Sequence, residues 1–260
     1  MRATTTPWKR HRPASWTASA ASCGWGRTTT WSKSAPAGAV SPCTPRRTTG
    51  CRVTTTTISR EQHALASQRV AEAGLRRPHH PAAVGLPRPA GPYDKLVSIE
   101  MIEAIGAQYL DTYFAQCGRL LGRDGLALVQ AITIEDHRYE QALRSVDFIK
   151  RHIFPGSFIP SIKRDAGAKT RSSDLSAGQP GGLRAPAMRA PCTHWRERFL
   201  ARSSSVRAQG YRRALHAHVG VLPGLLRRRL PRTLDRRRPP VLMAKPGYRG
   251  GSYLPGLLEA

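Results

Sequence analysis

YDKLVSIEMIEAIGAQYLDTYFAQCGRLLGRDGLALVQAITI, residues 93–134, decides the fold. It opens on Tyr93-Asp-Lys-Leu-Val-Ser-Ile99, whose β-branched and aromatic content reads as a strand. From Tyr109 to Leu121, residues Tyr109, Tyr113, Phe114, Cys117, Leu120 and Leu121 recur at helical spacing, which predicts a helix with one apolar side. Gly122-Arg-Asp-Gly125 reads as a turn, and Leu126-Ala-Leu-Val-Gln-Ala-Ile132 as another strand. Upstream, Cys51-Arg-Val-Thr-Thr-Thr-Thr-Ile58 is a β-branched run. Ser59 and Gln62 have capping-box spacing before a helix over Glu61–Ala73, and Gly74 stands where such a helix ends. Downstream, His137–His152 is expected to be helical, and Pro155, Gly156 and Pro160 mark a loop. Strands alternating with helices predict an α/β fold containing part of a parallel sheet.

Charge divides the chain in the same way. Eleven of the sixteen acidic residues lie between Glu61 and Asp147, and the first sixty residues contain none. Residues 91–162 hold nine acidic and seven Lys/Arg residues, whereas the whole chain carries +26. The excess positive charge therefore lies outside the segment with clear folding patterns. Residues 1–49 show neither helical nor strand periodicity and are expected to be irregular or disordered. Residues 76–90 collapse into Pro, Arg and His, and the chain becomes basic again after Lys163. There, His194–Tyr211 is helix-like, residues 212–240 are patternless, and Val241–Gly247 reads as a final strand and turn.

Several function classes lose support at this level. Five cysteines, Cys23, Cys43, Cys51, Cys117 and Cys192, are an odd set without metal-like pairing, which argues for reduced thiols and no structural metal. His79 and His80 beside Pro are weak metal candidates. No apolar run approaches a membrane span, and the N-terminus lacks the apolar stretch of a secretory signal. A cytoplasmic protein is therefore expected. A net +26 would suit sequence-independent binding of nucleic acid or anionic lipid. No recognised nucleic-acid module accompanies that charge, so no specific nucleic-acid partner is expected.

The segment from Tyr93 through Tyr139-Glu140, continuing in Ser145-Val-Asp-Phe-Ile-Lys-Arg-His-Ile-Phe-Pro-Gly-Ser-Phe-Ile-Pro-Ser-Ile162, resembles the cyclopropane-fatty-acyl-phospholipid synthases. These are S-adenosylmethionine-dependent methyltransferases. Residues 50–75 resemble the second strand and helix of that family, and residues 195–211 and 242–250 its C-terminal pieces. The resemblance implies a partial Rossmann-like class I methyltransferase sheet with irregular basic flanks. It divides the chain into an irregular stretch 1–49, a methyltransferase core 50–162 and a degraded C-terminal part 163–260. It further implies S-adenosylmethionine and bicarbonate as cofactors, phospholipid acyl chains at the membrane surface as partners, and a peripheral place at the inner membrane face. A related methyltransferase with another acceptor stays open, as does the choice between ring and methyl-branch products.

The resemblance also assigns residues. Glu103, in Met101-Ile-Glu-Ala-Ile-Gly106, matches the glutamate that helps hold the bicarbonate, the group expected to accept the proton. Read without the family, it is a solvated glutamate at a helix start. Ile132 matches a residue whose backbone lines the same site, while Gln130 stands where the family often has His. Thr57, Ile58 and Gln62 match the edge of the cofactor pocket; their plain reading is a strand end and a helix cap. Glu100 and Cys117 read as structural.

The intervening segments match the family only as shifted codons. The family's loop Glu-Ile-Gly-Thr-Gly-Trp-Gly-Gly, written in GC-rich codons and read one base later, becomes Lys-Ser-Ala-Pro-Ala-Gly-Ala-Val, which is residues 33–40. A similar shift of a family-like segment, read one base early, gives His218–Arg227. The chain is therefore read as the product of a frame-shifted or misread gene, and its +26 needs no biological partner. Without the Gly-rich loop and the first strand, the sheet is expected to lack its central member and cofactor binding to be lost.

Overall fold

The computed structural model describes residues 30–34, 52–56, 59–74, 81–82, 92–177, 189–211, 215–221 and 240–249. Seven strands form one sheet: β1 (Thr30–Ser34), β2 (Arg52–Thr56), β3 (Pro81–Ala82), β4 (Tyr93–Ile99), β5 (Leu121–Gln130), β6 (Ser176–Ala177) and β7 (Pro240–Ala244). Their order across the sheet is β3-β2-β1-β4-β5-β7-β6. β1 to β5 pair with one another in parallel, and β7 runs antiparallel to both β5 and β6. Strand order reverses between β1 and β4, so an open crevice is expected at the carboxyl ends of these two strands.

β1 corrects the expectation of a sheet without its central member. Thr30-Trp-Ser-Lys-Ser34 pairs with β2 on one side and with β4 on the other. Its sequence lacks the apolar run usual in a central parallel strand, which is why periodicity missed it. Ladder hydrogen bonds come from the backbone, so a slot with strands on both sides satisfies an extended segment whatever its side chains.

The helices follow local signals more closely. Helix α1 (Arg60–Glu72) is capped by Ser59, whose Oγ accepts from the Gln62 N–H at 3.2 Å. That hydroxyl also donates to Glu61 at 2.8 Å; a backbone hydrogen bond and then Ser59 hold the Glu61 carboxyl below its ordinary range. Gly74 takes φ +67 just past the helix, a conformation that favours glycine. Helix α2 (Leu110–Leu120) buries Leu110, Tyr113, Phe114, Cys117 and Gly118. Tyr109, expected on that face, lies outside the helix and is 54% exposed.

The predicted turn at Gly122–Gly125 is a bulge inside β5. Tyr93 pairs with Leu121, and the next partner pair is Lys95 with Leu126, so the extra residues loop out of the ladder. The helix expected over His137–His152 is broken into α3 (Tyr139–Arg144) and α4 (Phe148–His152), with Asp147 capping the second through Lys150 N–H at 2.9 Å. Where the chain turns basic near Lys163 and no element was read, it forms α5 (Ile162–Ser172), capped by Ser161 and packed against α2. Helix α6 (Arg189–Ala201) begins five residues before the helix-like stretch His194–Tyr211 and α7 (Ser203–Ala208) falls within it, while residues 215–221, read as patternless, are also helical.

The core lies between the sheet and α2. Leu96, Ile102, Phe114, Cys117, Ala127, Val129, Phe158, Ala168 and Met243 belong to one buried cluster, with Ile102 and Ala127 at 0% exposure. Cys117 sits within it, and burial pushes its thiol up to about 12. It is a core residue, as read from its helix face.

Candidate functional site

Glu103 reaches the crevice because of how β4 ends. Glu100 takes φ +48, an uncommon conformation for a residue with a side chain, and its N–H donates to the Gln130 carbonyl at 2.8 Å. That left-handed residue turns the chain off the strand into a single 3-10 turn, Ile102–Ala104. Ile102 is driven into the core, and Glu103 is left half-buried beside the end of β5. Glu100, read as structural, is thus the hinge that aims its neighbour. The sequence alone carries no signal for a left-handed glutamate.

Two separate segments then hold Glu103. Its carboxylate Oε1 accepts the Ile132 N–H at 2.5 Å, and its main-chain carbonyl accepts the Phe158 N–H at 3.0 Å. The Met101–Gly106, Leu128–Thr133 and Ile153–Pro160 segments therefore converge, although they are distant in sequence. A third link closes the group: Ile134 N–H donates to the Pro160 carbonyl at 2.9 Å, and Ile134 bridges Ser161. Of the residues expected at the site, Glu103 and Ile132 are in direct contact. Gln62 lies exposed in the first turn of α1, where its backbone serves the cap. Thr57 and Ile58 lie outside the described residues, as do Ala35–Val40, His79 and His80.

The arrangement contains acids that motif reading missed. Asp165, in the first turn of α5, has an Oδ1 shut off from solvent and, among the described residues, without a hydrogen-bond partner. Burial, then the charge of Glu103, then that of Asp136 push its carboxyl up to about 8. Tyr113 is pushed well above its ordinary range, chiefly by burial. The one available clue was that Asp165, Ala168 and Ser172 share a helix face with the capping serine upstream; the basic composition of that stretch concealed it. Among the described residues, no group of three His, Cys, Asp or Glu is placed to hold a metal ion. No helix among them is long and apolar enough to cross a membrane.

The family model for mycolic acid cyclopropane synthetase matches residues 21–218, well over half of the chain. The chain belongs to that family. The tuberculostearic acid methyltransferase UfaA1 of Mycobacterium tuberculosis is 33% identical over 162 residues, which cover 62% of this chain and 38% of that protein. The hydroxymycolate synthase MmaA4 of Mycobacterium tuberculosis is 32% identical over 117 residues, 41% of this chain and 38% of its own length. The matched part thus spans well under half the length of these curated relatives. Among solved structures, the cyclopropane synthase MmaA2 from Mycobacterium tuberculosis superposes with TM-score 0.70 at 17% identity, covering 94% of this chain and 86% of that one. The mycolic acid cyclopropane synthase CmaA1, complexed with SAH and CTAB, gives TM-score 0.71 at 19% identity, with 92% and 85% covered. At such identities the likeness establishes the fold, which is the α/β class I methyltransferase fold, as expected from the sequence.

Proposed function

We propose that this chain is, by descent, an S-adenosylmethionine-dependent methyltransferase acting on unsaturated phospholipid acyl chains at a membrane surface, and that this polypeptide is impaired in the activity. Membership of the mycolic acid cyclopropane synthetase family supports the lineage. The observation that carries the reading is the Glu103–Ile132 contact at the carboxyl ends of β4 and β5, beside the point where strand order reverses. Impairment rests on the composition of residues 33–40, where Ala35, Ala37, Ala39 and Val40 stand in place of the glycines that would let a backbone approach a cofactor.

The strand order supplies the crevice in which S-adenosylmethionine would lie, and the segment leaving β4 would help to hold it. When bound, it supplies an electrophilic methyl group. The chain's own contribution to ring formation is orientation and proton removal. Methyl addition to a cis alkene leaves a carbocation, and ring closure requires loss of one proton from the added methyl. The Glu103 carboxylate, bonded to the Ile132 N–H while its carbonyl accepts the Phe158 N–H, would stabilise positive charge and receive that proton. Bicarbonate fits less well. The Ile132 amide is already engaged by Glu103, so it is not open to a second acceptor.

The test is transfer of label from methyl-labelled S-adenosylmethionine to vesicles of phospholipid with cis-monounsaturated chains. Two proteins are compared: the chain as it stands, and one in which residues 33–40 are rewritten as Glu-Ile-Gly-Thr-Gly-Trp-Gly-Gly. The rewritten chain is expected to label acyl chains and the original to label them weakly or not at all. A rewritten chain that binds cofactor but leaves every lipid unlabelled refutes the lipid assignment.

A further inference from the structure

Asp165 is a half-buried acid, with one carboxyl oxygen shut off from solvent, that the proposed chemistry does not use. It stands four residues after the capping Ser161, and Ser161 is bridged to Ile134, two residues beyond Ile132. The segment leading into this helix also carries Phe158, whose N–H is bonded to the Glu103 carbonyl at 3.0 Å. The first turn of α5 and the Glu103–Ile132 contact are therefore braced against each other by main-chain bonds. The Asp165 Oδ1 is shut off from solvent in this first turn and, among the described residues, lacks a hydrogen-bond partner.

The groups around it come from every neighbouring element. Glu103 approaches from the loop after β4, Asp136 from the 3-10 turn Asp136–Arg138, Tyr113 from α2 and Tyr139 from α3. Asp136 is fixed at the same helix end, its Oδ1 accepting the Lys163 N–H at 3.0 Å. Arg164, the adjacent cation, pairs with Glu140 and lies over the Tyr139 ring, 5.3 Å from its centroid. The charged neighbours that act on Asp165 are thus both carboxylates, and both oppose its ionisation. Tyr113 and Tyr139 are shifted upward, Tyr113 strongly, so both stay neutral while Asp165 titrates.

We propose that Asp165 is a positioning residue for Glu103: its neutral carboxyl lets the first turn of α5 rest against the Glu103–Ile132 contact, and its ionisation forces the two carboxylates apart and loosens that contact. The inference rests on Glu103 belonging to the functional site, and not on which acceptor is methylated. Like charges at a half-buried site repel more strongly than in water, and the Glu103 carboxylate, which accepts the Ile132 N–H, is the member that gives way. Loosening Glu103 would leave the fold intact and blunt the site at alkaline pH.

The experiment follows the Ile132 amide resonance of the nitrogen-15-labelled full chain from about pH 6 to about pH 9.5. The wild-type chain is expected to show a step in that resonance with a midpoint near 8, where Asp165 titrates, and a loss of amide-exchange protection of about tenfold or more above it. Asp165→Asn imitates the neutral form and should abolish the step while the rest of the spectrum persists. Asp136→Asn removes one opposing charge and should lower the midpoint without abolishing the step. A wild-type Ile132 amide without a step across that range, or the same step surviving in Asp165→Asn, overturns the proposal. Neither readout involves methyl transfer, so a failed lipid assignment and a failed positioning role give different results.

Discussion

Replacing Asp165 by Asn should stabilise the fold, and the gain should grow with pH in a defined window. The folded carboxyl lies at about 8 against an ordinary value of 3.8, raised by burial, by Glu103 and by Asp136. Below the lower value the acid is protonated in both states and contributes nothing. Between the two values the unfolded chain releases its proton while the folded chain keeps it, so folding stability falls as pH rises. Above the upper value both states are ionised and the loss is complete. Each tenfold difference in proton affinity between the two states is worth about 1.4 kcal/mol, which sets a ceiling of about 6 kcal/mol at alkaline pH. Side-chain relaxation and water entry reduce such penalties, so a gain of about 2–4 kcal/mol at pH ~8 is the working expectation. Asn carries its own cost of burial, but that cost does not change with pH, and the informative quantity is the difference between the two pH profiles. Urea unfolding of both chains at about pH 4.5, 6, 7.5 and 9 measures it. Parallel profiles through this range would refute the reasoning, because they would mean that Asp165 meets solvent or a cation in the folded chain.

Other outcomes follow from the same geometry. Glu103→Gln keeps an oxygen for the Ile132 amide but removes the largest opposing charge on Asp165, so the alkaline midpoint near 8 should move down; carbon-13 carboxyl titration of Asp165 reads this directly, and an unmoved midpoint contradicts the coupling. Gly247→Ala would place a Cβ 2.6 Å from the Arg123 carbonyl oxygen and 2.5 Å from Asp124 Oδ1, so the β5 bulge must shift. A loss of about 1–3 kcal/mol in thermal unfolding is expected. Gly220→Ala, with nothing within 4 Å and a helical backbone at 215–221, should instead gain about 0.5–1 kcal/mol, and a loss there would count against that helix. The chain as it stands should show no measurable heat of S-adenosylmethionine binding in isothermal titration, and the chain rewritten at residues 33–40 should show binding; micromolar affinity in the original would refute the proposed impairment.

The legible parts of the fold were those with local periodicity. Tyr93–Ile99 matched its strand bounds, and the Ser59 cap and Gly74 end of α1 followed from residue type. Helix α2 was visible because its apolar residues face a sheet. α5 was not visible, since Lys163, Arg164, Lys169 and Arg171 dominate its composition and only Ala168 is buried. The same holds for the site. Glu103 and Ile132 could be named from a resemblance, and they do meet. Nothing in the linear pattern showed that Glu100 would turn left-handed to aim Glu103, or that Asp165 would face it from another helix.

By itself, then, the sequence determined the alternation of strands and helices through residues 50–162, the α/β class, and the separation of a charge-balanced core from basic flanks. These depend on side-chain patterns within a few residues, where burial and capping act locally. Only the tertiary structure decided that Thr30–Ser34 is the central strand, that β7 runs antiparallel beside β5, and that Glu103, Asp136 and Asp165 from separate elements come within electrostatic reach of one another. Those outcomes depend on backbone pairing and on exclusion of water between distant segments. Such energies exist only once the segments have been brought together.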